Sequence, residues 1–355
     1  MAFDLEKYLT LGVEGIVKDT LRVSYKNPKQ SAFFLKFAAA SVKATERRRD
    51  LKKKGEHIPP FLIASITNNC NLNCTGCYAM ANKPCVDTDE LKSEDWNRIF
   101  GEAEELGVSF IMLAGGEPML RVDVLKKAAK YKGILFPVFT NGTVLDKTTL
   151  DLFKANRNLV PVISIEGDEI LTDGRRGQGI FRRTEEAINK LQAEDLLFGI
   201  SITVTSENLE TVTDSTFVNE LDKSGCKVLF YVEYIPIERP ELALDEEARN
   251  RLAESVDKLR AKDQNTIIIS FPGDEKEAGG CLAAGRGFFH INASGGVEPC
   301  PFSPYSDINL RDSSLREALR SPLFTKLKEE GLLETEHKGS CVLFEQEDRV
   351  TALLE

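Results

Sequence analysis

The sequence predicts an α/β protein: a partial (β/α)6 barrel, preceded by a helical segment and followed by a small α+β extension. Three observations carry that reading. Short runs rich in β-branched and aromatic residues recur at 61–67, 108–114, 134–140, 160–166, 198–204 and 228–235. Helix-patterned stretches at 93–106, 121–132, 145–156, 181–194 and 207–224 alternate with them, as a parallel sheet with outer helices requires. Polar and glycine-rich turns follow the first four runs directly, at the carboxyl strand ends where such folds gather their active sites.

A chain of 355 residues accommodates this plan as segments 1–58, 59–240 and 241–355, with ample core for independent folding. The net charge of −10 argues against bulk nucleic-acid binding through phosphates. No apolar run approaches the roughly 20 residues of a membrane span. The opening Met-Ala-Phe-Asp-Leu-Glu is too polar and acidic for a secretory signal. Eight cysteines without such a signal lead to the expectation of a reducing cytoplasm, with thiols used for metal and not for disulfides.

In the first segment, Leu9, Leu11, Val13, Ile16, Val17 and Leu21 recur at helical spacing, as do Phe33, Phe34, Phe37 and Ala38. The second helix runs into Lys43, Arg47, Arg48, Arg49, Lys52, Lys53 and Lys54. A basic amphipathic helix suits an anionic membrane surface or an acidic partner. The plainer reading, preferred here, is a solvated helix whose apolar face packs on the following domain. His57, near its end, reads as a surface residue.

After the first β-run comes Cys70-Asn-Leu-Asn-Cys74-Thr-Gly-Cys77-Tyr78. Thiolates are soft ligands that suit iron–sulfur clusters or zinc. Three of them leave one corner of a cubane cluster open for reaction. A zinc site with a fourth ligand from elsewhere and three plain core cysteines are the alternatives. Gly115-Gly116-Glu117-Pro118 follows the second run, Thr140-Asn141-Gly142 the third and Ser164-Ile165-Glu166-Gly167 the fourth. In the Gly115–Gly116 turn the missing Cβ atoms let backbone polar groups approach a ligand closely, and Pro118 fixes the turn.

CxxxCxxC followed about 40 residues later by Gly-Gly-Glu-Pro, each at a strand end, resembles the radical S-adenosylmethionine (SAM) superfamily. The resemblance implies a 4Fe-4S cluster on Cys70, Cys74 and Cys77, with SAM bound at its open iron. Gly115, Gly116, Glu117 and Pro118 would hold the methionyl amino group. Ser164, Glu166, Ser201 and Thr203 become candidates for ribose and carboxylate contacts; the alternative is that each satisfies local backbone. Family members usually carry a large or aromatic residue just before the third cysteine, near the adenine. This chain has Gly76 there, so either Tyr78 takes that role or the adenine is held otherwise. Thr172-Asp173-Gly-Arg175-Arg176-Gly177-Gln-Gly179-Ile-Phe181 is similar to a stretch of the peptide-modifying branch, with Thr172 where a histidine is usual. Arg176 would bind a carboxylate by a bidentate fork or pair with a neighbouring acid.

Residues 238–264 read as a connector, and Thr266–Ser270 as a last β-rich run. Beyond it, Cys281, Gly295 and Cys300 resemble the opening of the SPASM/Twitch extension, whose hairpin carries an auxiliary iron–sulfur cluster. Phe288–Asn292 and Gly296–Glu298 would be the hairpin strands, with Ser294-Gly295-Gly296 the turn. Only Cys341 follows, so the extension is shortened and one auxiliary cluster is expected, on Cys281, Cys300 and Cys341. Asp274, Glu275 and Glu277 stand where a further cysteine is usual. A carboxylate suits cluster iron poorly, so the fourth corner is expected to be empty or filled by Cys85. Cys226 reads as packing.

The resemblance further implies an oxygen-sensitive enzyme. A flavodoxin- or ferredoxin-type partner would deliver the electron that cleaves SAM to methionine and a 5′-deoxyadenosyl radical, which then takes hydrogen from a substrate. The substrate is expected to be a peptide or protein, or alternatively a cofactor or other small molecule. A non-SAM iron–sulfur or zinc-binding protein is the remaining alternative.

Overall fold

The computed structural model describes residues 5–23, 27–81, 89–262, 265–334 and 341–354. Strands β1 (Phe61–Ser65), β2 (Phe110–Ala114), β3 (Phe136–Thr140), β4 (Leu159–Ile165), β5 (Gly199–Val204) and β6 (Val228–Glu233) correspond to the six expected runs. Each pairs in parallel with the next. A seventh, β7 (Ile267–Phe271), continues the series beyond β6. The run at Thr266–Ser270 thus extends the barrel sheet itself. On the opposite edge β8 (His290–Ile291) lies parallel to β1, and β9 (Val297–Glu298) pairs antiparallel with β8. The hairpin turns at Gly295, whose φ of +93° favours glycine.

Helices α1 (Leu5–Val23) and α2 (Pro28–Lys53) precede the barrel, and the short α3 (Tyr78–Ala81) closes the cysteine loop. The crossover helices are α4 (Ser93–Leu106), α5 (Val122–Ala128), α6 (Lys147–Ala155), α7 (Glu169–Arg176), α8 (Ile180–Ala193), α9 (Leu209–Thr213) and α10 (Ser215–Lys223). The stretch expected as one helix over 207–224 is two. Asp214 breaks it with an extended backbone, and its carboxylate caps the second helix by accepting the Thr216 N–H.

Strand alternation sets which residues face the barrel interior. Leu62 and Ala64 are fully buried on the helix side of β1, whereas Phe61, Ile63 and Ser65 share a face with Phe110, Met112 and Ala114. The same face of β4 and β5 carries Ser164 opposite Ser201.

The amino end of the barrel is closed by α1 and α2. Val13, Val17, Phe34 and Phe37 bury against Phe110, Leu135, Val160, Leu197 and Ile267, which lie at or just before the strand starts. The apolar face of α2 is therefore packed on the barrel. Two of its basic residues work locally: Arg47 donates to the carbonyls of Glu104 and Glu105, and buried Arg48 to the carbonyl of Gly107 and to Ser109 Oγ. Both place positive charge at the carboxyl end of α4, where the helix dipole favours it. Lys43, Arg49 and Lys52–Lys54 remain on the surface. His57 is half-buried, its Nε2 2.7 Å from the Arg286 carbonyl, so it ties the N-terminal segment to the extension. Among the described residues no helix is long and apolar enough to cross a membrane.

Candidate active site

The cysteine loop leaves the carboxyl end of β1 and is fastened to its neighbours through backbone atoms. Gly116 N–H donates to Thr67 O at 2.7 Å and Glu117 N–H to Asn69 O at 2.8 Å. Thr75 N–H reaches Arg175 O at 2.9 Å. The two glycines allow the approach from β2: a Cβ on Gly115 would stand 2.3 Å from Thr67 O, and one on Gly116 2.2 Å from Asn69 O. What these glycines meet here is the cysteine loop. Glu90 steadies the loop entrance, accepting from Thr67 Oγ1 at 2.8 Å and Asn68 N–H at 2.7 Å while pairing with Arg121 at 3.1 Å.

Glu117 is fully buried, and both its oxygens are occupied. It accepts from Met119 N–H, Thr140 Oγ1 and Asn141 N–H at 2.8–2.9 Å. Burial pushes its carboxyl upward in pKa, and these hydrogen bonds oppose that shift. It straps the second strand end to the third, and Pro118 begins the single 3-10 turn that follows. Asn141 carries the strap onward, donating to Asn71 Oδ1 at 3.0 Å.

At β4 and β5, buried Glu166 takes Arg175 at 2.5 Å and Arg176 through Nε at 2.7 Å, and its other oxygen accepts Thr203 N–H at 3.1 Å. Arg175 also donates to Thr203 Oγ1 at 3.1 Å. Arg176 thus pairs with a neighbouring acid. Both guanidinium groups face the cysteine loop: burial raises the Cys74 thiol, while Arg176 and then Arg175 pull it down toward thiolate. Thr172 is buried and accepts the Glu166 N–H at 3.0 Å. Asp173 closes its own turn by accepting from Gly179 and Phe181.

The glycine before the third cysteine has an explanation in space. Gly76 has φ +63°, and a Cβ there would lie 2.4 Å from Tyr234 Oη and 2.7 Å from its ring. Buried Tyr234, just past β6, fills the place a side chain at 76 would need. Tyr78 instead turns toward Phe302, with ring centroids 5.3 Å apart. Its hydroxyl lies beside Ser65 and the Gly115 backbone and is raised well above the ordinary phenol range by burial.

That hydroxyl heads a buried chain across the edge of the sheet. Ser65 Oγ is 2.8 Å from His290 Nε2, and His290 Nδ1 is 2.6 Å from Glu298 Oε2. Asn292 donates to the second Glu298 oxygen at 2.6 Å. The imidazole thus bridges the two, one ring nitrogen facing the Ser65 hydroxyl and the other the Glu298 carboxylate. This chain is the main feature that sequence reading missed. The His290 and Glu298 positions alternate on one face of a short hairpin, a signal that acquires meaning only once the hairpin is laid on β1.

The C-terminal thiols also meet. Cys281, Cys300 and Cys341 line one cavity with Glu275, Glu233, Phe271, Phe288 and Phe302, and its free volume is about 390 Å3 counting the open mouth. Burial raises the Cys281 and Cys300 thiols strongly, whereas Cys341 is held low by the thiol of Cys300. Burial also pushes Glu275 up to about 7. Cys226 is buried and bonds Val228 O, away from both thiol groups. Cys85 lies outside the described residues, as does the side chain of Glu277.

Cys70, Cys74 and Cys77 are free, half-buried and electrostatically coupled on one short loop, and the donor set fits a soft metal cluster. Among the described residues no three His, Cys, Asp or Glu side chains gather tightly enough to hold a single metal ion.

A profile of the radical SAM superfamily matches residues 64–216, which span the cysteine loop and the turns after β2, β3 and β4. The chain carries a radical SAM domain over these residues, and the proteins of that superfamily are enzymes. AdoMet-dependent heme synthase from Methanosarcina barkeri is 29% identical over 316 residues, covering 81% of this chain and 88% of its own length. Sporulation killing factor maturation protein SkfB from Bacillus subtilis is 31% identical over 162 residues, 44% of this chain and 39% of its own. The radical SAM fold of Streptococcus suis SuiB, solved with its precursor peptide SuiA, superposes with a TM-score of 0.67. That likeness, at 20% identity over 81% of this chain and 70% of the other, is one of fold.

Proposed function

We propose that Cys70, Cys74 and Cys77 hold a 4Fe-4S cluster that binds SAM, and that Cys281, Cys300 and Cys341 hold one auxiliary cluster. The first group, when bound and reduced by a flavodoxin- or ferredoxin-type donor, supplies a 5′-deoxyadenosyl radical. One observation carries the reading: a three-thiol loop fixed by backbone bonds to the turn after β2 and to the end of α7, at the carboxyl end of the barrel. The chain's own part is to orient and shield. Glu117 and Asn141 hold the loop against β3, and Glu166 keeps the two guanidinium groups beside Cys74. Ser164, Ser201 and Thr203 lie on the barrel face of β4 and β5, which supports their reading as contacts to bound SAM.

The division at 59–240 for the core and 241–355 for the extension is retained with one addition, that β7 to β9 belong to the same sheet. The substrate is read as a peptide or protein, supported by the similarity to SkfB over 44% of the chain. A cofactor precursor is the second reading, favoured because the heme synthase relative matches over most of both chains. The test is anaerobic. Reconstituted, reduced protein converts SAM to 5′-deoxyadenosine and methionine, and replacing Cys70, Cys74 and Cys77 by Ala abolishes this while the auxiliary iron stays. Deoxyadenosine from the triple variant would refute the assignment. Faster formation with a short peptide or with a porphyrin precursor separates the two substrate readings.

A further inference from the structure

We propose that Glu275 is the fourth ligand of the auxiliary cluster, an inference that rests on the auxiliary-cluster reading above. Glu275 sits on the 3-10 turn Gly273–Ala278, directly after β7, and its side chain lies in the wall of the cavity lined by Cys281, Cys300 and Cys341. One oxygen, Oε2, accepts the Leu282 N–H at 3.3 Å. The other, Oε1, is buried and meets no N–H or O–H donor among the described residues; the thiol of Cys281 lies against the carboxylate. Leaving a carboxylate oxygen buried and unsatisfied is costly, and a ligand removes the cost.

The neighbouring acids and bases are committed elsewhere. Asp274 is held by Arg260 at 2.7 and 2.9 Å and by the Ser270 N–H. Glu233, also in the cavity lining, pairs with Arg249 at 3.5 Å. Arg286, the nearest cation, spends its guanidinium on the carbonyls of Cys281 and Gly279. Glu275 is thus the carboxylate that the fold presents to the three thiols. The sequence argument against it, that oxygen is a hard ligand for a soft cluster, becomes part of its role. An oxygen ligand binds its iron more weakly than thiolate, so that corner is closed at rest and can be exchanged for a substrate atom.

The experiment uses the full chain with Cys70, Cys74 and Cys77 replaced by Ala, reconstituted anaerobically so that only the auxiliary site holds iron. About four irons per chain are expected for one cubane. Loss of that iron in a further Cys281→Ala, Cys300→Ala, Cys341→Ala variant establishes the auxiliary site, and its retention overturns the reading on which this inference rests. Glu275→Cys is expected to keep the iron, change the EPR spectrum of the reduced cluster and move its reduction potential to a more negative value. Glu275→Gln, nearly isosteric, is expected to change the spectrum also and to let added cyanide bind. With the site established, spectra and potentials of Glu275→Cys and Glu275→Gln identical to the parent's would overturn the ligand assignment.

Discussion

Gly76 and Tyr234 show how a residue with no side chain defines a site. The spacing of the cysteines is plain in the sequence, and so is the glycine that breaks the family's habit. That Tyr234 occupies the vacated space was not legible, because nothing links positions 76 and 234 until the barrel closes. Gly76→Ala should destabilise by about 1–3 kcal/mol, from a strained left-handed backbone together with the collision with Tyr234. Chemical denaturation measures it. Combined with Tyr234→Ala, the two costs should fall short of additive, since the second change relieves the collision. Full additivity would mean that only backbone strain is at work. The same logic sharpens Gly116. A valine there strikes Asn69 O next to Cys70, so Gly116→Val should lose cluster iron as well as SAM affinity. Iron content equal to the parent's would show that the loop yields without harm.

At the scale of elements, the hairpin β8–β9 is attached to β1 by one histidine as much as by its ladder. His290→Ala leaves Glu298 buried with only Asn292 as a partner, and the expected cost is about 3–5 kcal/mol. Replacing His290 and Glu298 together by leucine should cost less than His290→Ala alone, because no buried charge is stranded. Thermal unfolding of the three proteins decides, and a double variant less stable than the single one would show that a stranded buried charge is not what the histidine prevents. The first six strands and most helices of the barrel were legible from periodicity, down to α4, which begins and ends where its pattern does, whereas α7, the break at Asp214 and the place of β7 in the sheet were not. The hairpin was legible from Ser294-Gly295-Gly296. Its seat on β1 was not, since a two-residue strand carries too little pattern to name its neighbour.

Across the whole molecule, the first 58 residues close the barrel's amino end. Phe34→Ala or Phe37→Ala should cost about 3–5 kcal/mol each, with cluster iron and SAM cleavage by the folded fraction unchanged. Loss of the cluster without loss of stability would assign those helices a direct part in the site. Composition and charge were legible at this scale, and so was the alternation that makes the barrel. What lay beyond reach were the contacts joining the ends of the chain to its middle. One of them bears on synthesis. Ser65 meets His290 across 225 residues, so a chain emerging from the ribosome presents its cysteine loop long before the partner of that loop exists. Iron captured by the nascent loop would meet an open barrel edge and water. A ribosome-stalled chain ending at residue 280 should therefore be alkylated at Cys70, Cys74 and Cys77 faster than the released full chain, and equal rates would show that the hairpin does not shield the loop. In biosynthetic terms, the hairpin is a late arrival: the edge of the sheet beside the cysteine loop is finished only after all seven strands of the parallel series have been made.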